Sequence, residues 1–327
     1  ERPGGARGMD GKTNEKIERK TKRKTKGGIL MGAMDPASTV VGFVGTGVMG
    51  ASMARHVMRA GYAVRVYNRS RSKAEALLAE GATWDDTAGS LAASSAVVIT
   101  MVGYPADVEA VYFAPEGILA SAKPGTYLVD MTTSSPELAT RIARAARERG
   151  LHALDAPVSG GDRGAREGTL SIMVGGEAED LETLRPLLGT MGKQVVLQGP
   201  AGSGQHTKMA NQIAIAAGMI GVCEALAYAQ RASLDPDTVL QSIAGGAAGS
   251  WTLSNLAPRM LAGDFRPGFY VKHFIKDMNI ALESAAALGL STPGLALARE
   301  LYGQLAEAGG EEQGTQALFR LFSDRRA

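Results

Sequence analysis

The chain of 327 residues is 45% hydrophobic and only 5% aromatic, an Ala/Gly/Val-rich profile that suits α/β domains and leaves room for two of them. One cysteine, Cys223, excludes an internal disulfide and points to a reducing, cytoplasmic setting in which it is a buried structural thiol. The net charge of +2 is the sum of +6 over residues 1–34 and −4 over the remainder, so the body of the protein is mildly acidic and nucleic acid is not an expected partner.

Residues 1–36 lack apolar periodicity and read as a disordered basic leader or a cloning-derived tail ending in MGAMDP, with no apolar segment of a secretory signal. From Val40 to about Leu197, short β-rich runs alternate with helical patterns. VVGFVG, AVRVY, AVVITMV, TYLVDM and LHALDAP are five candidate strands. Ser134/Ser135-Pro136-Glu137 has the composition of a helix start, with a capping hydroxyl and proline in the first turn. The alternation predicts a doubly wound, Rossmann-type parallel sheet over residues 37–200. After Gly199-Pro200 the strand pattern ends, and residues 201–327 read as an all-helical domain for substrate binding and oligomerisation. Its first helix, from about Gln205 to Arg231, is nearly apolar. It suggests burial between domains or subunits, and hence a homodimer or homotetramer. The longest uninterrupted apolar run, Ile213–Cys223, is too short to span a bilayer, so no membrane is expected.

Gly45-Thr46-Gly47-Val48-Met49-Gly50 follows the first strand and opens a helix. In that context the first glycine allows a tight turn and the second lets a pyrophosphate approach the backbone. The third permits close helix–strand packing, while the helix N-terminus supplies free N–H donors. The next strand ends at Asn68-Arg69-Ser70, where NAD-binding folds usually carry a carboxylate for the adenosine ribose. An amide and a guanidinium there, with Arg71 and Lys73 close by, favour a 2′-phosphate. NADP is therefore the expected cofactor, with NAD possible.

Four stretches, GFVGTGVMG (42–50), DAPVSGGDRGAREGTLSIMVGG (155–176), GSGQHTKMANQ (202–212) and KDMNIAL (276–282), resemble the β-hydroxyacid dehydrogenases. That family includes 3-hydroxyisobutyrate dehydrogenase, tartronate semialdehyde reductase and glyoxylate/succinic semialdehyde reductases. The resemblance spans residues 39–323. It implies that Lys208 is the catalytic lysine and that Ser159, Gly160 and Gly161 hold the substrate carboxylate. It further implies that Asn211, with Gln212 where relatives often have Asn, binds substrate. Met101, Val102, Thr133 and Lys276 correspond to positions that touch the cofactor, and Asp107 to one where some relatives have Asn.

The chemistry of the residues agrees with that assignment. Alcohol oxidation needs a base for the hydroxyl proton while hydride leaves carbon, and a lysine near a helix N-terminus in a buried cleft has a lowered pKa. Without the resemblance, Lys208 fits a snorkelling helix-end lysine equally well, and Asn211 a backbone cap. The Ser159-Gly160-Gly161 turn stands at a strand's C-terminal end, where N–H groups can meet an anion. His56, His152, His206 and His273 have no metal-ligand spacing with acids or cysteine, so no metal is expected. The function expected is an NADP-preferring oxidoreductase acting on a small β-hydroxyacid or semialdehyde such as 3-hydroxyisobutyrate. An imine reductase, which typically lacks the lysine, and a non-catalytic NADP-binding module are the alternatives.

Overall fold

The computed structural model describes residues 34–323, so most of the basic leader lies outside the described residues. Nine strands form one sheet: β1 (Val40–Val44), β2 (Ala63–Tyr67), β3 (Thr83–Trp84), β4 (Val97–Thr100), β5 (Tyr127–Asp130), β6 (His152–Asp155), β7 (Val158–Ser159), β8 (Leu170–Gly175) and β9 (Gly192–Gly199). Their order is β3-β2-β1-β4-β5-β6-β8-β7, with β9 on β8. The helices of seven or more residues are α1 (Val48–Arg59), α2 (Pro105–Phe113), α3 (Pro136–Arg147), α4 (Gly161–Glu167), α5 (Ala178–Leu188), α6 (Ser203–Arg231), α7 (Pro236–Ile243), α8 (Val271–Ala287) and α9 (Pro293–Leu305).

The central strands are continuous apolar runs because both sheet faces are covered. Alternate side chains go to opposite cores: Val97, Ile99 and Val129 pack with Val57 and Leu184 on one face, while Val98 and Leu128 pack with Leu91 and Ile142 on the other. The five expected strands are present and mutually parallel through β6. The sheet then turns mixed: β8 runs antiparallel to β6 and β7, and β9 parallel to β8. The expectation of a doubly wound sheet followed by helices holds, with four strands added that the sequence pattern did not reveal. Ser135 caps α3 as its sequence suggested, its hydroxyl accepting from the Leu138 N–H at 3.1 Å with Pro136 in the first turn.

Beyond β9 the chain is helical, and its core gathers Met219, Cys223, Leu226, Phe274, Met278 and Tyr302. Helix α6 has 29 residues and, by length and composition alone, could cross a membrane; the uninterrupted apolar run understated it. Here it is the spine of the molecule, packed against α8, α9, β8 and β9. Its opposite face, with Ala210, Ala214, Ile215, Gly218 and Gly221, is exposed.

Asp130, at the end of β5, is buried. One carboxylate oxygen accepts from the Thr100 hydroxyl at 2.7 Å and the Thr132 N–H at 3.1 Å, and the other has no partner. A cavity of about 10 Å³ beside it and Asp155 has room for one water. Burial pushes the Asp130 carboxyl up to about 6. The folded state therefore holds this proton more tightly than the unfolded chain. The cost of ionisation is present above pH 6 and is relieved as pH falls towards the unfolded value of about 4. Asp130→Asn should accordingly gain stability over the parent by on the order of 2–3 kcal/mol at pH 8, with the gain shrinking as pH falls below 6 and disappearing only below about pH 4. Denaturant melts across that range measure it, and a gain that does not change with pH would show that the carboxyl is not the cause.

Candidate active site

The cofactor end of the cleft is built by the β1–α1 turn. Gly45 has φ +98°, and a Cβ on it would stand 2.2 Å from the Met101 carbonyl oxygen; a Cβ on Gly50 would stand 2.0 Å from that of Gly45. Both closures need glycine. Gly47 differs, since a Cβ there would meet nothing within 4 Å; it leaves an open cradle before the uncapped N-terminus of α1. The first turn of α1 has no acidic residue, Val48 is exposed, Met49 is partly buried, and the Thr46 hydroxyl is buried without a partner. Free N–H groups, an unused hydroxyl and open space fit a dinucleotide pyrophosphate.

Asn68 turns its side chain inward, accepting from the Thr46 N–H at 3.1 Å and donating to the Ser70 carbonyl at 2.9 Å. Arg69 points out, 88% exposed, its guanidinium 3.5 Å from Asp107. Asp107 also accepts from the Tyr104 N–H at 3.1 Å and so caps α2. Arg71 stacks over Trp84, 5.1 Å from the ring centre. These residues ring the far end of the cofactor loop. Met101 and Val102 extend β4 alongside it, and the Val102 N–H donates to the Thr132 hydroxyl at 3.0 Å.

At the other end, α6 meets the sheet. Asp155, at the end of β6, accepts from the Gly202 N–H at 2.7 Å and the Gln205 N–H at 2.8 Å. Two of the helix's orphan donors are thereby satisfied, and a negative charge sits at its positive end. The approach is so close that a Cβ on Gly204 would stand 2.4 Å from the Met173 carbonyl oxygen. This seating brings Lys208, on the second turn, over the β7 turn. The Lys208 ammonium donates to the Val158 carbonyl at 2.9 Å, beside Ser159 and the positive-φ pair Gly160 and Gly161 that opens α4. The Ser159 hydroxyl reaches the Asn211 side-chain oxygen at 3.4 Å, and the Asn211 amide donates to Gln212 at 2.7 Å. Gln212 in turn donates to Asp277 at 2.6 Å, and Asp277 pairs with Lys276 at 2.9 Å. Lys276 completes the chain by donating to the Thr133 carbonyl at 2.8 Å.

Ser159, Gly160, Gly161, Lys208, Asn211, Gln212, Thr133 and Lys276 thus converge on one seam, while Asn68, Arg69 and Asp107 lie at the other end of the cofactor loop. Gln212 is fully buried and reaches the seam only through Asn211 and Asp277. Sequence reading passed over Asp155, Gln205 and Asp277, although each is a polar residue inside a quoted motif. Lys208 is 7% exposed, and its pKa is lowered to about 8. Burial is the principal cause; Asp277 opposes it and Lys276 adds to it. A lysine in this state exchanges a proton near neutral pH.

Comparisons with known proteins fall on both parts of the chain. The model described as the NAD binding domain of 6-phosphogluconate dehydrogenase matches residues 40–199. The model described as the NAD-binding of NADP-dependent 3-hydroxyisobutyrate dehydrogenase matches residues 202–322. An uncharacterized oxidoreductase, YkwC, of Bacillus subtilis is 61% identical over 86% of this chain and 98% of its own length. A probable 3-hydroxyisobutyrate dehydrogenase-like protein of Arabidopsis thaliana is 49% identical over 86% of this chain and 85% of its own. The structure of Mycobacterium tuberculosis 3-hydroxyisobutyrate dehydrogenase with L-serine superposes with a TM-score of 0.81 at 31% identity, covering 88% of this chain and 99% of that one.

The buried Asp277 carboxylate serves both Gln212 and Lys276. Replacing it with leucine leaves the largely buried Lys276 cation without its counter-ion and the Gln212 amide without its acceptor, and should cost about 3–5 kcal/mol. Asp277→Asn keeps an acceptor and should cost less. Urea unfolding of the two variants tests this, and equal losses would count against the ion pair.

Proposed function

The chain belongs to the β-hydroxyacid dehydrogenase family, and from that premise we propose that it interconverts a small 3-hydroxy acid and its semialdehyde, with Lys208 as general acid/base and NADP as the preferred cofactor. The observation that carries this reading is Lys208 itself, desolvated and bonded to the Val158 carbonyl beside the Ser159 turn. A neutral amine there keeps one N–H on Val158 and presents its lone pair to a substrate hydroxyl. Ser159 and the Gly160–Gly161 backbone offer donors to the substrate carboxylate, and Asn211 orients oxygen without adding charge. A nicotinamide dinucleotide held at the Gly45–Gly50 turn would supply the hydride chemistry, as acceptor for oxidation of the alcohol and as donor for reduction of the carbonyl. Lys208 takes the hydroxyl proton in the first direction and supplies it in the second.

A small substrate is supported by the close spacing of Lys208, Ser159 and Asn211, and by two family relatives named for 3-hydroxyisobutyrate. Preference for the 2′-phosphate is supported by Asn68 and Arg69 where a ribose-binding carboxylate would stand. The exposed Arg69–Asp107 contact is weak enough to give way to a phosphate.

Turnover of a panel of small 3-hydroxy acids and semialdehydes with NADP(H) and NAD(H) tests the proposal; no turnover with any of them overturns it. Lys208→Ala should retain NADPH binding and lose ~10²–10⁴-fold in kcat. In the parent enzyme, oxidation should quicken as pH rises through about 8, because the base must be neutral, and reduction should slow over the same range. Near-normal turnover by the alanine variant removes Lys208 from the chemistry.

Arg69→Asp sets a carboxylate against the 2′-phosphate. Fluorescence titration should find NADPH binding weakened at least tenfold more than NADH binding, and equal losses would dismiss a phosphate contact.

A further inference from the structure

The cofactor-side strand end, residues 132–134, is gripped by side chains that come from the helical part of the chain. Gln205, on the first turn of α6, is fully buried. Its side-chain amide donates to the Thr132 carbonyl at 2.7 Å, and its side-chain oxygen accepts from the Ser134 N–H at 3.0 Å. The two bonds straddle Thr133, whose own carbonyl is taken by Lys276 of α8. Meanwhile the backbone N–H of Gln205 is held by Asp155 of β6. One residue is therefore tied to two neighbouring strand ends, through its backbone to β6 and through its side chain to the extension of β5. Lys208 lies three residues on, on the same helix face.

We propose that Gln205 is a positioning residue that sets the rotation of α6 about its axis, and so aims Lys208, relative to the cofactor-facing Thr132–Ser134 segment. An amide is the group this place requires. It must donate to a carbonyl and accept from an N–H at once, which a carboxylate, a methionine or a leucine does not do. The same segment carries the Thr132 hydroxyl that receives the Val102 N–H. Gln205 thus couples the ends of β4 and β5 to the helix bearing the lysine. The proposal rests on Lys208 being the acid/base of the reaction.

The test uses Gln205→Met and Gln205→Glu, with thermal melts, NADPH titration and kcat each expressed as a ratio to the parent at the same pH. Asp155 and Asp130, in the same bonding network as the Lys276 ammonium, and Lys208, one turn along the helix, titrate in parent and variants alike, so the ratio isolates the new carboxyl. Gln205→Met should bind NADPH at least tenfold more weakly and lose at least tenfold in kcat at every pH. Gln205→Glu should match that loss at pH 8.5, where the carboxylate cannot donate to Thr132. It should recover to within threefold of the parent near pH 5.5, where the protonated carboxyl reproduces the amide's donor and acceptor.

Parent-like kcat and NADPH affinity in Gln205→Met, even with a lowered melting temperature, would reduce the residue to a structural one and overturn the proposal. Loss in Gln205→Glu without recovery on acidification would overturn it too. Turnover failure of the parent with every substrate, or full activity of Lys208→Ala, strikes at the acid/base reading instead. NADPH titration of the two Gln205 variants still decides whether the segment is positioned.

Discussion

The first turn of α6 is driven into the C-terminal edge of the sheet, and the rest of the site depends on that contact. A helix N-terminus brings unsatisfied N–H groups into a buried place, which is costly unless each finds an acceptor. Asp155 supplies two bonds to that turn, at Gly202 and Gln205, and its charge suits the positive end of the helix. Gly204 removes the side chain that would hold the elements apart, so Met173 and Asp155 sit where a Cβ would press. With the turn seated, the direction of every residue on that face follows from helix geometry. Lys208 reaches Val158, and Asn211 and Gln212 reach Ser159 and Asp277 of α8.

Electrostatics then divides two lysines that share a cleft. Lys276 has a carboxylate partner, Asp277, at 2.9 Å, whose charge offsets the desolvation of the ammonium. Lys208 has a carbonyl, a neutral acceptor that orients the amine without supplying charge to offset its desolvation. Asp277 acts on Lys208 only from a distance, and its pull is weaker than burial. Were a carboxylate in the place of the Val158 carbonyl, the lysine would stay protonated at neutral pH and could not act as a base.

How much of this was legible in the sequence follows from the range over which each interaction acts. β1, β4 and β5 are largely apolar runs and β2 and β6 short β-rich runs, each bounded by turns, and their pattern is local. β3 and β7 have two residues each, too few for any period, while β9 is largely exposed and lacks the apolar run of a covered strand. Among site residues, Gly45, Gly47, Ser159 and Lys208 were accessible because motif and local chemistry coincide. Asp155 and Gln205 were not, because their partners are backbone groups 47 to 73 residues away. A backbone carbonyl leaves no trace in residue type. Gln212 is named for substrate by the resemblance alone; its side-chain amide donates to Asp277, a partner 65 residues away that no local pattern announces.

The seam therefore has an order of dependence. Backbone acceptors on the sheet fix α6, α6 fixes Lys208 and the Asn211–Gln212 pair, and that pair draws in Asp277 and with it Lys276. Lys276 closes the circuit on Thr133, back at the sheet. A closed circuit of bonds is stiffer than its separate members, because no one side chain can rotate without breaking a neighbour's contact in a place water does not readily fill. The proposed hydride and proton transfers demand that the reacting carbon, the Lys208 amine and the cofactor stay within fractions of an ångström of a productive arrangement. A polar ring that begins and ends on the sheet meets that demand where an apolar interface, free to slide, would not.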